Sequence, residues 1–176
     1  LSALESSNSA SNKTGWQPHH YVEKDKKNNI IAACPMYIKS HSFGEYIFDH
    51  SWAEAYHRYG INYYPKLQSA IPFTPVTGER IILNKKIKEK NKKRQKVLDN
   101  IINEANKINV SSLHFNFISD PSQWTLDQNI MIRQGIQFHW QNNSYNSFND
   151  FLNTLSSRKR KQIKKERGCL INNNLE

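Results

Sequence analysis

The sequence predicts a mixed α/β fold, in which helices and a β-sheet share one core. Two extended runs flank the polar turn at residues 25–29, a pattern typical of a β-hairpin. Apolar and polar residues alternate at residues 113–117 and again at 136–140, which indicates half-buried strands. Apolar residues recur at helical spacing over residues 97–108, which predicts an amphipathic helix.

The composition fits one globular domain with an anionic partner. The chain has 176 residues, 37% of them hydrophobic, which is enough for one substantial core. Its formal net charge of +10 favours nucleic acid, a membrane surface or a phosphorylated small molecule as a partner. The chain is also rich in Asn, Lys and Ile together, so a biased genome composition is the alternative explanation for much of the lysine.

The cysteines and the lack of long apolar runs bear on the location of the protein. Cys34 and Cys169 form no Cys-x-x-Cys motif, which favours a reducing cytoplasm and argues against a zinc site. Cys34 lies in an apolar run and is interpreted as a small core residue. Neither a membrane span nor a secretory signal is expected, since no suitable apolar run or leader occurs. The start at Leu1 rather than Met indicates a piece of a longer protein.

The first part of the chain predicts a hairpin and a short aromatic helix. Residues 1–14 are rich in Ser and Asn and predict a partial N-terminal helix and loop. The hairpin strands are residues 20–23 and 30–38, and residues 44–49 are expected to be extended. Ser51 with Glu54 gives a capping-box signal for a helix that ends at Gly60. The aromatic face of this helix, including Trp52, is expected to belong to the core.

The second part predicts more strands and three further helices. Residues 67–73 and 81–83 predict strands, and residues 85–109 predict a helix whose basic first turns are solvated, since cations oppose the helix dipole there. Residues 120–134 predict a helix with Pro near its first turn. Ser147 with Asp150 predicts the start of another helix, whose C-terminus suits the cations that follow it.

Residues 39–80 carry the pattern expected of a binding site. Aromatic rings alternate there with hydroxyls and imidazoles, as in an apolar pocket with a few polar groups, although the same rings would also suit a core. Titratable groups crowd beside these rings, where pKa values shift readily, so a general base is expected among them; a solvated rim is the alternative. The candidate catalytic residues are His41, Glu45 and Asp49. The candidate substrate-binding residues in this stretch are Lys39, Ser42, Tyr46, Tyr56, Tyr63, Tyr64, Lys66 and Phe73.

His114, Gln137 and His139 are predicted to lie on the polar faces of strands in one sheet, close to the cleft. Substrate contact or a satisfied hydrogen bond is expected for them, so Gln137 and His139 join the substrate-binding candidates. No metal site is expected, because no third ligand accompanies the two histidines at a suggestive spacing.

Five segments carry a family resemblance: KSHSFGEYIFD, the short Trp-Ala-Glu-Ala-Tyr helix, YYPKLQSAIPFTPVTGER, GIQFHW and LSSRKRKQIKKER. In order and spacing they resemble a bacterial family of FemAB-like N-acyltransferases, labelled peptidoglycan biosynthesis or recognition proteins, in the GNAT superfamily. The resemblance implies a GNAT-like, mixed and mostly antiparallel sheet flanked by helices. It implies a partial helix or loop at residues 1–14, a GNAT-like domain at 15–145 as the first half of a tandem protein, and a truncated basic linking helix at 146–176.

The resemblance also implies ligands. The acyl donor is acyl-CoA or aminoacyl-tRNA, and the acceptor is an amine, for example that of a cell-wall precursor. In GNAT domains a turn after the donor strand receives the pyrophosphate, which points to residues 74–80, and the basic segment is expected to face phosphate or tRNA. The candidate donor-binding residues are Thr74, Thr77, Gly78, Arg80, Arg158, Lys159, Arg160 and Lys161. The superfamily motif Gln/Arg-x-x-Gly-x-Gly/Ala is absent, so the second half is the alternative place for coenzyme A.

Two functions therefore remain open from the sequence. Acyl transfer to an amine needs a positioned carbonyl, an oxyanion donor and a base but no covalent intermediate, which suits a sequence without a convincing nucleophile. The alternative is a non-catalytic nucleic-acid-binding module that uses basic helices and stacking rings. The enzyme is favoured, because the aromatic and basic residues occupy separate segments and no nucleic-acid-binding motif occurs.

Overall fold

The computed structural model describes residues 1–120 and 130–172, which form two compact units, Leu1–Ile130 and Met131–Glu176. Within its described residues the first unit holds two β-sheets and three helices, so the predicted mixed α/β class is confirmed. The helices are α1 (Ser2–Ser6), α2 (His50–Arg58), α3 (Lys90–Lys107), α4 (Phe148–Thr154) and α5 (Ser157–Asn172), with a 3-10 turn at Asn12–Thr14. The strands are β1 (Trp16–Pro18), β2 (Tyr21–Lys24), β3 (Ile30–Cys34), β4 (Tyr37–Lys39), β5 (Lys66–Ser69), β6 (Ile82–Leu83) and β7 (Leu113–Phe115).

The larger sheet has the strand order β1-β4-β5-β7. The first three strands are antiparallel, and β7 runs parallel to β5. In this register Trp16 lies opposite Lys39, and Lys39 lies opposite Lys66. Residues that face each other across strands share one side of a sheet. One row across the sheet therefore carries an indole ring and two lysines.

The smaller sheet has the order β2-β3-β6, with all strands antiparallel, and confirms the predicted hairpin. Its turn is closed by Asp25, whose Oδ1 accepts hydrogen bonds from the backbone N–H groups of Lys27 and Asn29. Asn28 adopts a left-handed backbone conformation with φ of 65°, which Asn tolerates better than most residues. The polar turn residues thus specify the hairpin locally.

The run at residues 30–38, predicted as one strand, is instead divided between the two sheets. Strand β3 ends at Cys34 in the smaller sheet, and β4 begins at Tyr37 in the larger one. Pro35 lies at the division, where it has no N–H group to donate to a ladder. The carbonyl of Pro35 instead accepts a hydrogen bond from the Ser69 hydroxyl at 2.9 Å.

Helix α3 packs on the sheets and completes the main core. The predicted apolar stripe is confirmed at Val97, Leu98, Ile101 and Ala105, which are buried, whereas Ile102 is exposed. The helix begins at Lys90, five residues later than predicted. Cys34 belongs to this core, as expected. The buried core residues are Ala32, Cys34, Met36, Leu67, Ile81, Val97, Leu98, Ile101 and Ala105.

The segment between β4 and β5 departs most from the sequence prediction. Residues 44–49 form a loop instead of an extended strand, because Gly44, Tyr46 and Phe48 all adopt positive φ. Helix α2 begins at His50 with Asp49 at its N-cap, so Ser51 lies inside the helix and does not cap it. The predicted core packing of the aromatic face is wrong, since Trp52 is 50% exposed and the helix buries none of its residues.

The strand predicted at residues 67–73 is shorter than expected. Strand β5 covers Lys66–Ser69, and the chain then turns, with an isolated bridge between Ile71 and Thr74. The strand at residues 81–83 is confirmed in part as β6, which joins the smaller sheet.

The second unit contains the two C-terminal helices. Ser147 caps α4 in a capping box with Asp150, as predicted. The basic run at residues 158–167 lies at the start of α5 and not at the C-terminus of α4, because α4 ends at Thr154. The helix predicted at 120–134 falls largely outside the described residues, and residues 130–134 are not helical.

The strand predicted at residues 136–140 is not formed. Ile136, Phe138 and Trp140 are all exposed, and Phe138 reaches 98% exposure. A strand is stabilised by hydrogen bonds to a neighbouring strand, and the part of the second unit that the structure describes contains none. Among the described residues, no helix is long and apolar enough to cross a bilayer.

Candidate active site

Two buried lysines on the larger sheet form the base of the candidate site. Both Lys39 on β4 and Lys66 on β5 have 0% exposed surface. The ammonium group of Lys39 lies 3.6 Å from the centre of the Trp16 ring, in a cation–π contact. Like charges placed opposite each other in a sheet repel, and buried ions need counter-charges. The segment that follows β4 supplies them.

The loop at residues 40–49 brings two carboxylates onto the lysines. Nζ of Lys66 lies 2.7 Å from Oε2 of Glu45 and 2.6 Å from Oδ2 of Asp49. Nζ of Lys39 lies 3.9 Å from Oε1 of Glu45 and donates a hydrogen bond to the backbone carbonyl of Phe43 at 3.4 Å. Glu45 and Asp49 are each only 2% exposed. We call these four side chains the lysine–carboxylate network; with all of them ionised its net charge is zero.

The amide side chain of Gln68 holds Glu45 from the sheet side, and Asn116 in turn orients Gln68. The amide of Gln68, with its nitrogen toward Glu45, donates to both carboxylate oxygens at 3.0 Å. Its oxygen then accepts a hydrogen bond from Nδ2 of Asn116, also at 3.0 Å. Both amide residues are buried. A carboxylate whose two oxygens both accept from one amide group, and which also forms a salt bridge, has little rotational freedom, so Glu45 is fixed in place.

Three hydroxyl groups extend the network. The Tyr63 hydroxyl donates to Oδ2 of Asp49 at 2.6 Å, and Nζ of Lys66 donates to Oγ of Ser42 at 3.1 Å. The hydroxyls of Ser42 and Tyr64 lie 2.7 Å apart. Ser42 and Tyr63 are buried, whereas Tyr64 is only partly buried. Tyr64 therefore connects the network to the protein surface.

Burial shifts the pKa values of Lys39 and Glu45 in opposite directions, because it disfavours the charged form of each group. Burial lowers the pKa of Lys39 to about 7, against the favourable charge of Glu45 and with the added repulsion of Lys66. Burial likewise raises the pKa of Glu45, although Lys66 opposes the shift. Burial also acts to raise the pKa of Asp49, but hydrogen bonds from Lys66, Ser42 and Tyr63 outweigh it and hold that pKa well below its usual range.

His114 lies beside the network on β7, opposite Gln68 on β5. Burial lowers the pKa of His114 to about 4, and the charge of Lys66 adds to the shift. Its Nε2 lies 2.8 Å from the Ser112 hydroxyl. The imidazole is therefore neutral at physiological pH.

His41, predicted as a catalytic residue, lies beside the network and uses its ring nitrogens within the chain. Its Nδ1 accepts a hydrogen bond from the N–H group of Phe43 at 3.2 Å, and the ring also bonds to the backbone of Thr14. Burial lowers the pKa of His41, and the charge of Lys39 lowers it further. The ring packs on Gly15, where a Cβ atom would lie 2.2 Å from its Nε2. These contacts fix the position of the His41 imidazole.

The remaining aromatic candidates surround the loop. The Tyr56 and Tyr63 rings are in edge contact with centres 5.1 Å apart, and Tyr46 and Phe73 are exposed. Tyr46, Phe48 and Phe73 all have positive φ, a conformation that is strained for non-glycine residues and concentrates at functional sites. The loop packs tightly as well, since a Cβ atom at Gly44 would lie 2.6 Å from the Phe73 ring.

The turn predicted to bind donor phosphates is not followed by a helix N-terminus. The N–H group of Gly78 donates to the carbonyl of Phe117 at 3.0 Å, so this amide is already used. Arg80 is buried and donates to the backbone carbonyls of Asn116, Val76 and Phe117. Thr74 and Thr77 are exposed. Four of the predicted donor-binding residues lie on α5, mostly exposed: Arg158, Lys159, Arg160 and Lys161.

Gln137 and His139 do not lie in a sheet with His114, because their segment forms no strand. Both are exposed, and Nε2 of His139 lies 3.3 Å from Oε1 of Gln137. No group of three or more His, Cys, Asp or Glu residues suited to a metal ion occurs among residues 1–120 and 130–172.

Sequence reasoning did not select Trp16, Gln68 and Asn116, which complete the network. One local signal was available for Gln68. Lys66 and Gln68 alternate with Leu67, which places two polar residues on one face of a strand that the remaining pattern marks as buried. A polar face on a buried strand indicates a polar network.

Comparison with known proteins gives a match to a family model. The family model FemAB-like, described as peptidoglycan biosynthesis/recognition, matches residues 1–176. No curated protein and no solved structure matches the chain.

Proposed function

This chain belongs to the FemAB-like family of peptidoglycan biosynthesis/recognition proteins, and we propose from that premise that it forms part of an N-acyltransferase. The reaction is the transfer of an acyl or aminoacyl group to the amine of a peptidoglycan precursor. The amine nitrogen forms a bond to the carbonyl carbon, the bond to the leaving sulfur or oxygen breaks, and the amine proton passes to solvent or to the leaving group. The donor is acyl-CoA or aminoacyl-tRNA.

The single observation that supports this proposal is the chain of donors from Lys66 to Tyr64. The Lys66 ammonium donates to the Ser42 hydroxyl, and either of the paired Ser42 and Tyr64 hydroxyls can donate to the other. The Ser42 hydroxyl has one proton, which it can donate to Asp49 or to Tyr64; when it donates to Tyr64, the phenol O–H is left to donate outward. A hydrogen bond that starts at a buried cation polarises the bonds after it, since the surrounding dielectric constant is low.

Such an outward phenol donor suits acyl transfer. The carbonyl oxygen of the donor gains negative charge as the amine attacks, and a fixed hydrogen-bond donor stabilises that charge without reorganising. Tyr64 is the partly exposed member of the hydroxyl chain, so we assign it the contact with the reacting carbonyl. Glu45 and Asp49 then act as positioning residues, because both are buried and hold Lys66.

The exposed rings around the loop offer the acceptor side of the site. Phe43, Tyr46, Phe48 and Phe73 are exposed beside the buried network. Rigid aromatic rings with a few polar groups bind flexible organic ligands at a low entropy cost. We propose that these rings orient the acceptor so that its amine reaches the carbonyl held by Tyr64.

The test is a transfer assay with the purified protein that carries this chain. A peptidoglycan precursor with a free amine is incubated with a labelled acyl-CoA or with a charged tRNA, and the product is identified by mass spectrometry. Tyr64→Phe keeps the ring but removes the donor, so kcat should fall by about 10²–10³, the usual effect of losing one oxyanion donor.

Tyr59→Phe is the matched control, because Tyr59 is 84% exposed on the same aromatic segment and lies outside the network. It should retain the wild-type rate. A wild-type rate for folded Tyr64→Phe would overturn the role of Tyr64. Absence of transfer from either donor class by the wild-type protein would overturn the proposed reaction.

A further inference from the structure

The smaller sheet has one covered face and one exposed face. Side chains alternate between the two faces of a strand, so Tyr21 and Glu23 share one face of β2. That face packs on α3, where Nδ2 of Asn100 donates to the Tyr21 hydroxyl at 3.0 Å. Val22 and Lys24 lie on the opposite face of β2, which we call the outer face, and both are exposed.

The outer face carries a row of aliphatic side chains. Val22 is paired with Ala33 on β3, and Ala33 is paired with Ile82 on β6, so these three side chains lie in line across the sheet. Ile30 is paired with Lys24 and extends the same face beyond a bulge. Val22, Ile30 and Ile82 are 50%, 53% and 51% exposed. Single exposed apolar residues are ordinary, whereas a contiguous apolar patch with a polar rim is typical of an interaction site.

Six exposed lysines form the rim of this row. They come from the hairpin and from the turn that follows β6: Lys24, Lys26, Lys27, Lys85, Lys86 and Lys88. Asn84 joins the two segments, because its backbone N–H donates to the carbonyl of Ile31 at 2.9 Å and its Nδ2 donates to the carbonyl of Ile30 at 3.1 Å. The fold therefore brings together lysines that are about 60 residues apart in the sequence.

The carboxylates of these segments do not cancel the lysines. Residues 21–34 and 82–88 contain two acidic residues, Glu23 and Asp25. Glu23 lies on the covered face and pairs there with Lys93 of α3. Asp25 closes the hairpin turn; hydrogen bonds from Asn29 lower its pKa, and the charge of Lys86 adds to the shift, which places Lys86 beside this turn. The outer face therefore keeps a net positive charge.

We propose that the outer face docks on an anionic lipid bilayer. Val22 and Ile82 enter the interfacial region, and the surrounding lysines contact the lipid phosphates. A lysine cluster of this size is attracted to the negative surface of an anionic leaflet. Lysine also suits a mobile lipid surface, since its ammonium group is a compact charge on a flexible stem that lies along apolar surface.

A nucleic acid fits the outer face less well than a bilayer does. Its phosphates attract lysines too, but proteins bind bases largely through aromatic rings, and residues 22–34 and 82–88 contain none. The aliphatic row would face charged phosphates in such a complex, whereas a bilayer offers acyl chains. The proposal does not depend on acyl transfer, because the outer face shares no residue with the lysine–carboxylate network or with Tyr64.

The experiment is co-sedimentation of the protein that carries this chain with vesicles of phosphatidylcholine, prepared with and without phosphatidylglycerol. Binding should be at least about tenfold tighter to the vesicles that contain the anionic lipid. Raising the salt concentration from about 0.1 M to about 1 M should weaken this binding, because the Debye length falls from about 10 Å to about 3 Å. Equal binding to both kinds of vesicle, or binding to neither, would overturn the proposal.

Lys27→Gln combined with Lys86→Gln removes one charge from each segment and should weaken binding to the anionic vesicles by about tenfold or more. Lys13→Gln combined with Lys107→Gln is the matched control. It removes the same charge from exposed positions in the 3-10 turn and at the C-terminal end of α3, and it should change the affinity by less than about threefold. Equal losses in the two double variants would show that net charge alone drives binding, which contradicts a specific docking face.

Val22→Thr combined with Ile82→Thr tests the aliphatic row. Threonine keeps the branched shape that suits a strand and leaves the charge unchanged, but it removes apolar contact, so vesicle binding should weaken by about threefold or more. Binding of a duplex RNA is measured in parallel. The bilayer is the wrong partner if this variant, folded by circular dichroism, binds anionic vesicles as tightly as the wild type while the change at Lys27 and Lys86 weakens binding of the RNA.

Discussion

Lys39 and Lys66 face each other across two antiparallel strands, and neither side chain has any exposed surface. Two like charges in this arrangement would separate the strands unless the loop at residues 40–49 returned two carboxylates to them. The larger sheet and the loop are therefore stable only together. The predictions below follow from this dependence.

Lys66→Met should be strongly destabilising. The change leaves Glu45 and Asp49 buried without their main cation, a situation that usually costs about 3–5 kcal/mol. Urea unfolding measures the loss. Lys92→Met, at an exposed position of α3, should stay within about 0.5 kcal/mol of the wild type. A triple variant with Lys66→Met, Glu45→Gln and Asp49→Asn should recover part of the loss, and failure to do so would argue against uncompensated charge as the cause.

Lys39→Met should cost less than Lys66→Met, and its cost should grow with pH. The folded-state pKa of Lys39, about 7, lies below the unfolded value of about 10.4, so between these values the unfolded chain binds more protons. The contribution of Lys39 to stability therefore rises with pH above about 7. Urea unfolding of both proteins at pH 7 and pH 9 should show the difference widening. A constant difference would contradict the lowered pKa.

His114→Gln should reduce the pH dependence of the unfolding free energy between about pH 4 and pH 6.5. The pKa of His114 is lowered to about 4, below the unfolded value of about 6.5, so the unfolded chain binds the proton first. Stability is lost as pH falls through that window and is restored as pH rises above it. His41 shifts in the same direction and leaves a residual slope. Unfolding free energies at pH 4.5 and 6.5 measure the effect, and a slope unchanged from that of the wild type would contradict the lowered pKa of His114.

Gly44→Ala should destabilise the protein more than Gly60→Ala. Both glycines have positive φ, so each substitution carries the left-handed penalty of about 1–2 kcal/mol. A Cβ atom at Gly44 would in addition lie 2.6 Å from the Phe73 ring, whereas one at Gly60 would meet no atom within 4 Å. Thermal unfolding of the two variants isolates the steric part. Equal losses would show that the 44–48 loop relaxes without cost.

The sequence predicted elements that depend on local signals. The hairpin at residues 21–34, the buried face of α3 and the Ser147 cap follow from turn chemistry, helical spacing and a capping box, all of which act within a few residues. The candidate residues Lys39, Glu45, Asp49 and Lys66 were named individually. These residues contact one another only because of the register in which β4 pairs with β5. That register cannot be read from the sequence of either strand alone.

The elements that were predicted wrongly depend on more than local sequence signals. Alternation at residues 136–140 indicates that a segment is able to form a strand, but the strand also requires a neighbour. The extended prediction for residues 44–49 failed because Tyr46 and Phe48 adopt positive φ, against the intrinsic preference of aromatic residues, while Glu45 and Asp49 are held by Lys66. Similarly, the aromatic spacing of α2 gave no indication that Trp52 would be exposed.

The division of one continuous run at Pro35 has a consequence for how the first unit opens. Residues 30–39 contribute a strand to each sheet, so the ends of β3 and β4 are tied together by two residues. Neither sheet can lose its strand pairing at this point without displacing the strand of the other sheet. The backbone amides of Ala33 in the smaller sheet and Ile38 in the larger sheet should therefore exchange with solvent deuterium through the same opening event, as parts of a single cooperative unit.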